Sequence, residues 1–158
     1  MEYHSITTLN EIRAADPCHD GWTKLLRHLG KTKADDEPLP LLTVLESNGL
    51  DDALWCLRVP SLERLSRHFQ AWCADQVLHH FEAERPNDTR VRGQIAMLRN
   101  DDASEHERRA ARSAAWSAAE SAAWSAAESA AESAAWSAAR AAQEEQLRLM
   151  LSMRRRAE

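Results

Sequence analysis

The stretch Ser113 to Arg140 limits what this chain can fold into more than any other. It reads SAAW SAAE SAAW SAAE SAAE SAAW SAAR, an unbroken run of one four-residue unit. No Gly or Pro interrupts it and Ala is the strongest helix former, so the run is expected to be helical. A period of four does not match the helical 3.6. Each copy advances ~400°, so the bulky fourth position drifts about 40° per copy around the axis. With Trp116 at the origin, Trp124 falls near 80° and Trp136 near 200°. The three tryptophans therefore cannot share one face of a straight helix. Opposite them run Ser and Ala, a smooth winding surface that lets another backbone come close. A period longer than 3.6 favours right-handed winding of whatever packs there.

This rod has a clear start. Ser104-Glu105-His106-Glu107 fits the S-x-x-E capping box, in which each side chain satisfies an orphan donor. No stop signal follows until after Met153, and Arg148 and Arg154 to Arg156 lie where cations favour the helix dipole. A helix from 104 to 153 would be ~75 Å long. A compact domain of this length has a radius of gyration of only ~15 Å. Either the rod projects and finds a partner, or it breaks in two and folds back. Trp116, Trp124 and Trp136 are the expected contact residues, since Trp is enriched at interaction hot spots. Glu120, Glu128 and Glu132 share their repeat position and join them. At least one Trp is expected inside the protein's own core, because the three fan around the axis.

The 158 residues suit one domain, or one domain plus an arm. The expected division is a short-helix bundle over 1–103 and the SAAX-repeat helix over 104–158, packed on it or on a partner chain. Gly and Pro are few and strand formers never alternate, which points to an all-α fold. The net charge of −5 is mild and does not suggest a general nucleic-acid binder. The chain has no signal-peptide pattern and no long apolar run, so a soluble, cytoplasmic protein is expected, with no membrane partner. Cys18, Cys56 and Cys73 lack close spacing and read as reduced, mostly buried thiols.

In chain order, residues 1–7 look like a loose start. Thr8-Leu9-Asn10-Glu11 is a second capping box, opening a short helix that ends near Ala15. Asp16-Pro17 predicts a cap and first position for the next helix, whose apolar face is Cys18, Trp22, Leu25, Leu26 and Leu29. Gly30 supplies its left-handed end. After a polar loop from Lys31 to Pro38, a helix from about Pro40 to Ser47 buries Leu41, Leu42, Val44 and Leu45 and stops at Asn48-Gly49. Asp51 is expected to cap a helix that Pro60 ends. Ser61 opens a long helix to about Arg85, with Leu62, Leu65, Phe69, Trp72, Cys73, Val77 and Phe81 on its apolar face and Leu78 flanking it. A helix from about Thr89 to Asn100 buries Val91, Ile95 and Leu98. About seven helices joined by short turns predict a helical bundle or small solenoid-like stack, with the Ala-rich helix last and longest.

Three stretches carry a family resemblance: NGLDDALWCLR from Asn48 to Arg58, WCADQVLHHFEAERPNDTRVR from Trp72 to Arg92, and PCHDGWTKLLRHLGK from Pro17 to Lys31. Joined to an Ala-rich repeat with interspersed Trp, they resemble a family of uncharacterised phage and prophage proteins, some of them described as immunity proteins. The likeness spans nearly the whole chain. It implies a phage or bacterial setting and a non-enzymatic role, and it brings no catalytic residues with it.

The residues offer little chemistry. Cys18-His19 sits at a helix start, where a thiolate is favoured, but adjacent helical residues point apart, so Cys18 reads as core and His19 as surface. Cys56, Cys73, His68, His79 and His80 lack the paired spacing of structural zinc ligands, so neither metal nor cofactor is expected. Asp51 and Asp52 read as a cap and a first-turn acid. The arginines at 85, 90, 92, 99, 108, 109 and 112 alternate with acids and read as a solvated, internally paired surface rather than a phosphate patch. Arg154 to Arg156 read as an exposed helix end.

With the resemblance and the lack of a catalytic constellation, the expectation is a non-enzymatic, phage- or prophage-encoded interaction protein, anti-CRISPR-like or immunity-type, that binds and inhibits a host protein of antiviral defence. A homodimer through the rod is expected. The alternative is a dimeric nucleic-acid-associated regulator that uses the Arg-rich region 85–112.

Overall fold

In the computed structural model the described residues are 3–111, 113–114 and 132–152, the side chains of 132–137 excepted. They are mostly helical, with one two-stranded sheet, so the fold is all-α as expected. The chain divides into two compact units, Met1–Ser66 with Glu144–Glu158, and Arg67–Gln143.

The first unit opens with strand β1 (Ile6–Thr7), which pairs antiparallel with β2 (Leu39–Pro40), Ile6 opposite Pro40 and Thr7 opposite Leu39. The Leu41 N–H donates to the Ser5 carbonyl at 2.9 Å, and both Ser5 and Thr7 are buried. The expected loose start is therefore tied down from residue 5 onward. Two-residue strands are too short to show a period of two, so no pattern announced them.

Helix α1 (Leu9–Ala14) starts where the capping box placed it. Thr8 Oγ1 accepts the Glu11 N–H at 3.1 Å, and the Glu11 carboxylate accepts the Thr8 N–H in return. Helix α2 (His19–His28) starts later than expected. Asp16 adopts φ +59 and closes the α1 turn through its N–H to the Arg13 carbonyl at 3.1 Å. Pro17 thus falls in the connection, and Cys18 is the cap, its Sγ accepting the Gly21 N–H at 3.4 Å. The far end follows the sequence. Gly30 takes φ +65, and the Lys31 N–H reaches the Leu26 carbonyl at 2.9 Å, a Schellman closure.

Helix α3 (Leu41–Asn48) runs into α4 (Leu50–Cys56) through Gly49 alone. Gly49, not Asp51, holds the cap position, and Asp51 and Asp52 fall in the first turn, where the helix dipole favours acids. A 3₁₀ turn (Pro60–Leu62) leads into α5 (Glu63–Glu84). Leu9, Ile12, Leu25, Leu41, Val44, Leu45, Ala53, Leu62 and Leu65 form the buried interior of this unit. Burying such aliphatic side chains is worth roughly 1.5–3 kcal/mol each. Leu42 is only half-buried. The last turns of α8 (Glu132–Ser152) add buried Leu147, Met150 and Leu151 to the same unit.

The second unit contains most of α5 and α6 (Arg90–Arg99). Ala71, Leu78, Ile95 and Leu98 form its cluster, with Ala74 and Val91 packed against it. The expected apolar stripe holds at Leu62, Leu65 and Phe69, which are buried, and is corrected beyond them. Leu78 is buried, whereas Val77 is 58 % exposed and Trp72, Cys73 and Phe81 are half-buried. Ala71, Ala74 and Leu78, at i, i+3 and i+7, form the true inner face. Two of the three are alanines, and a search for large apolar residues passes over them. Helix α7 (residues 105–111) opens with the box expected at Ser104–Glu107. Glu107 N–H donates to Ser104 Oγ at 3.2 Å, and Ser104 N–H donates to Glu107 Oε2 at 2.7 Å.

Candidate functional site

The rod residues expected to make contacts fall largely outside the description. Trp116, Trp124, Glu120 and Glu128 lie outside the described residues. Glu132 and Trp136 lie on the helical backbone of α8, with side chains outside the description. The continuity of a helix from 104 to 153 lies outside it as well.

The described surface offers a different candidate in the first unit. A recess opens between α2, α3 and α4, with Ile12, Leu25, Val44 and Cys56 at its floor and Pro17, Cys18, Trp22 and Trp55 around it. Its volume is about 40 Å³. At roughly 10–15 Å³ per enclosed water, that is room for a small apolar group such as an aliphatic side chain.

A polar clasp holds the recess in shape. Asn48 Nδ2 donates to the Gly21 carbonyl at 2.8 Å and to Asp52 Oδ2 at 2.6 Å. Lys24 Nζ in turn donates to the Asn48 carbonyl at 3.3 Å. One amide therefore joins the start of α2, the end of α3 and the first turn of α4. Gly21 faces this clasp, and a Cβ there would stand 2.7 Å from Asp52 Oδ2.

Both tryptophans at the rim are half-buried, and each carries a guanidinium on its ring. Arg13 Cζ lies 5.7 Å from the centre of Trp22, and Arg58 Cζ lies 4.5 Å from that of Trp55. Arg58 Nε also donates to the Trp55 carbonyl at 3.2 Å, which fixes it at the end of α4. Neither arginine pairs with a carboxylate among the described residues. Trp22, expected on the apolar face of its helix, thus stands at a rim, as does Trp55. The missed signal was local: Arg58 follows Trp55 by three, the spacing that stacks side chains along a helix.

Of the three free thiols expected to be mostly buried, Cys56 is buried, Cys73 half-buried and Cys18 exposed. Cys18 is exposed, because it serves as a cap rather than as core. Cys56 is buried, and burial, with the Asp52 charge adding to it, pushes its thiol up to about 12. It is a neutral, inert group at ordinary pH. Cys73 is half-buried and raised in the same direction, chiefly by burial.

The remaining candidates resolve into structure. His68 is buried, with Nε2 3.2 Å from Asp101 Oδ1. His79 and His80 lie ring against ring at 3.8 Å. Among the described residues no group of three or more His, Cys, Asp or Glu could hold a metal ion. Arg90, Arg92, Arg99, Arg108 and Arg109 meet acids or carbonyls. Arg90 binds Asp88 through two bonds, at 2.9 and 2.6 Å, and its guanidinium holds the Asp88 carboxyl down at about 2. Arg92 binds Glu82, Arg99 binds Asp75 at 2.9 Å, and Arg109 lies 3.8 Å from Glu105. Arg108 donates to the Asn100 and Asp101 carbonyls at 3.3 and 3.2 Å. Arg112 and Arg154 to Arg156 lie outside the described residues. Among the described residues no helix is long and apolar enough to cross a membrane.

No family model, no curated protein and no solved structure matches the chain.

Proposed function

We propose that the chain is a non-enzymatic, phage- or prophage-encoded interaction protein that binds and inhibits a host protein of antiviral defence in the bacterial cytoplasm. One observation carries the binding part of this reading. Trp22 and Trp55 stand half-buried at the rim of one recess, each with an arginine over its ring. Trp and Arg dominate interaction hot spots, since each offers large contact area together with a directed donor. The anti-defence direction comes from the resemblance to phage proteins. Two of the three stretches that carry it, Pro17 to Lys31 and Asn48 to Arg58, also supply most of the recess. The Ala-rich repeat is the second surface in this reading, for a host protein or for a second copy.

The test is biological. Bacterial strains, each carrying one defence system that blocks a given phage, would express the chain. In at least one strain it should restore plaque formation, and W22A/W55A, checked for retained helicity, should not. No restoration in any strain of a broad panel would sink the anti-defence reading.

A further inference from the structure

We propose that the recess between Trp22 and Trp55 takes an acidic peptide segment of a partner protein, one small aliphatic side chain entering the recess while flanking carboxylates engage Arg13 and Arg58. This deepens the proposed function and rests on its premise that the chain binds a protein.

Charge carries the inference. The chain holds 25 acidic against 20 basic residues, so intramolecular carboxylates are in excess. In the second unit Arg90, Arg92 and Arg99 each find one. Lys31, in the polar loop after α2, finds two, Asp35 at 2.6 Å and Glu37 at 2.7 Å. Around this recess the pattern reverses. Arg13 and Arg58 lie on indole rings instead, and Lys24 bonds a backbone carbonyl. The one carboxylate that lines the recess, Asp52, is already engaged by Asn48.

The geometry selects the class of partner. Arg58 spends only Nε on Trp55, which leaves both terminal nitrogens for the bidentate grip that suits a carboxylate. Each ring carries a guanidinium over one face, which reduces the open platform on which nucleic-acid bases stack. The recess, at about 40 Å³ and lined mostly by apolar side chains, suits an aliphatic side chain.

A displayed library of random 12-residue peptides, panned against the full chain, reads this directly. Enriched peptides should carry Asp or Glu on both sides of a single Val, Leu or Ile. Against R13E/R58E, two exposed substitutions that leave the recess intact, the affinity of an enriched peptide should fall at least about tenfold per arginine. Enrichment without an acidic bias, no enrichment, or equal binding to R13E/R58E would overturn the proposal. So would displacement of the peptide by a single-stranded oligonucleotide, or a dimer of the chain that W55A dissociates, since those results assign the surface to another occupant. The panning does not depend on any defence system. Acidic enrichment without plaque restoration would leave this surface standing and remove only the anti-defence reading.

Discussion

Gly21 and Asp52 face each other so closely that a single Cβ on residue 21 would lie 2.7 Å from Asp52 Oδ2 and 3.1 Å from Cys18 Sγ. The Asp52 carboxylate cannot simply swing aside, because Asn48 Nδ2 holds it at 2.6 Å. The seam between α2 and α4 is therefore built on a missing side chain.

Gly21→Ala should overpack this seam and destabilise the fold by ~1–3 kcal/mol in urea titrations, with an unchanged m-value. Asp52→Ala should relieve part of the cost, so the double mutant should be less destabilised than the sum of the two singles. Strict additivity would show that the close approach is not the cause.

Cys56 makes stability depend on alkaline pH. Its thiol is raised from an ordinary value of 9.0 to about 12 by burial, so the folded state keeps a proton that the unfolded chain releases. Its contribution is complete below about pH 9 and is lost as pH rises toward 12. The slope in that window should approach the one-proton value of about 1.4 kcal/mol per pH unit. Cys56→Ala should flatten it. A disulfide-exchange reagent at pH 8 should label exposed Cys18 at once and Cys56 only after unfolding.

Glu11 acts at the acidic end. Hydrogen bonds from Ser61 Oγ and Thr7 Oγ1, each at 2.6 Å, favour its ionised form and lower its pKa. A depressed carboxyl contributes stability above its unfolded value, and that contribution is lost as pH falls through the folded one. Melting temperature should therefore decline below about pH 4.5 in the native chain and less steeply in Glu11→Gln. Glu11→Ala should cost ~1–3 kcal/mol at neutral pH, since it leaves the buried Thr7 hydroxyl without this acceptor.

Asp101 organises the end of α6. Arg67, only 8 % exposed, donates to the Leu98 carbonyl at 2.8 Å and to Asp101 Oδ1 at 3.0 Å, and His68 meets the same oxygen. Asp101→Ala removes the facing carboxylate while both basic side chains stay buried. The expected loss is ~2–4 kcal/mol, toward the lower end for an interaction whose acid is partly exposed. Arg67→Met/Asp101→Ala should recover part of it. A double mutant no more stable than Asp101→Ala would count against this account.

Duplex DNA should not form a specific complex at physiological salt. Arg90, Arg92 and Arg99 are paired with Asp88, Glu82 and Asp75, which weakens their pull on phosphates in the region expected to bind them. A mobility shift that persists at 150 mM salt, and that falls steeply as salt is raised, would restore the nucleic-acid reading.

By itself the sequence determined the local events. The boxes at Thr8–Glu11 and Ser104–Glu107, the Gly30 closure, the Asn48-Gly49 stop and the inner face of α6 all depend on residues within about a turn of one another. Short-range chemistry of this kind is written in consecutive letters. Tertiary structure alone decided the rest. It drew Ile6–Thr7 onto Leu39–Pro40 across the two intervening helices α1 and α2. It moved the start of α2 from Asp16 to Cys18, because the chain leaving α1 needed Asp16 in the left-handed region. It turned α5 onto Ala71 and Leu78 and left Val77 in solvent, since the neighbouring helix selects which of two adjacent stripes is buried. And it set Trp22 and Trp55 at the rim of one recess, a meeting of residues more than thirty positions apart that no local pattern encodes.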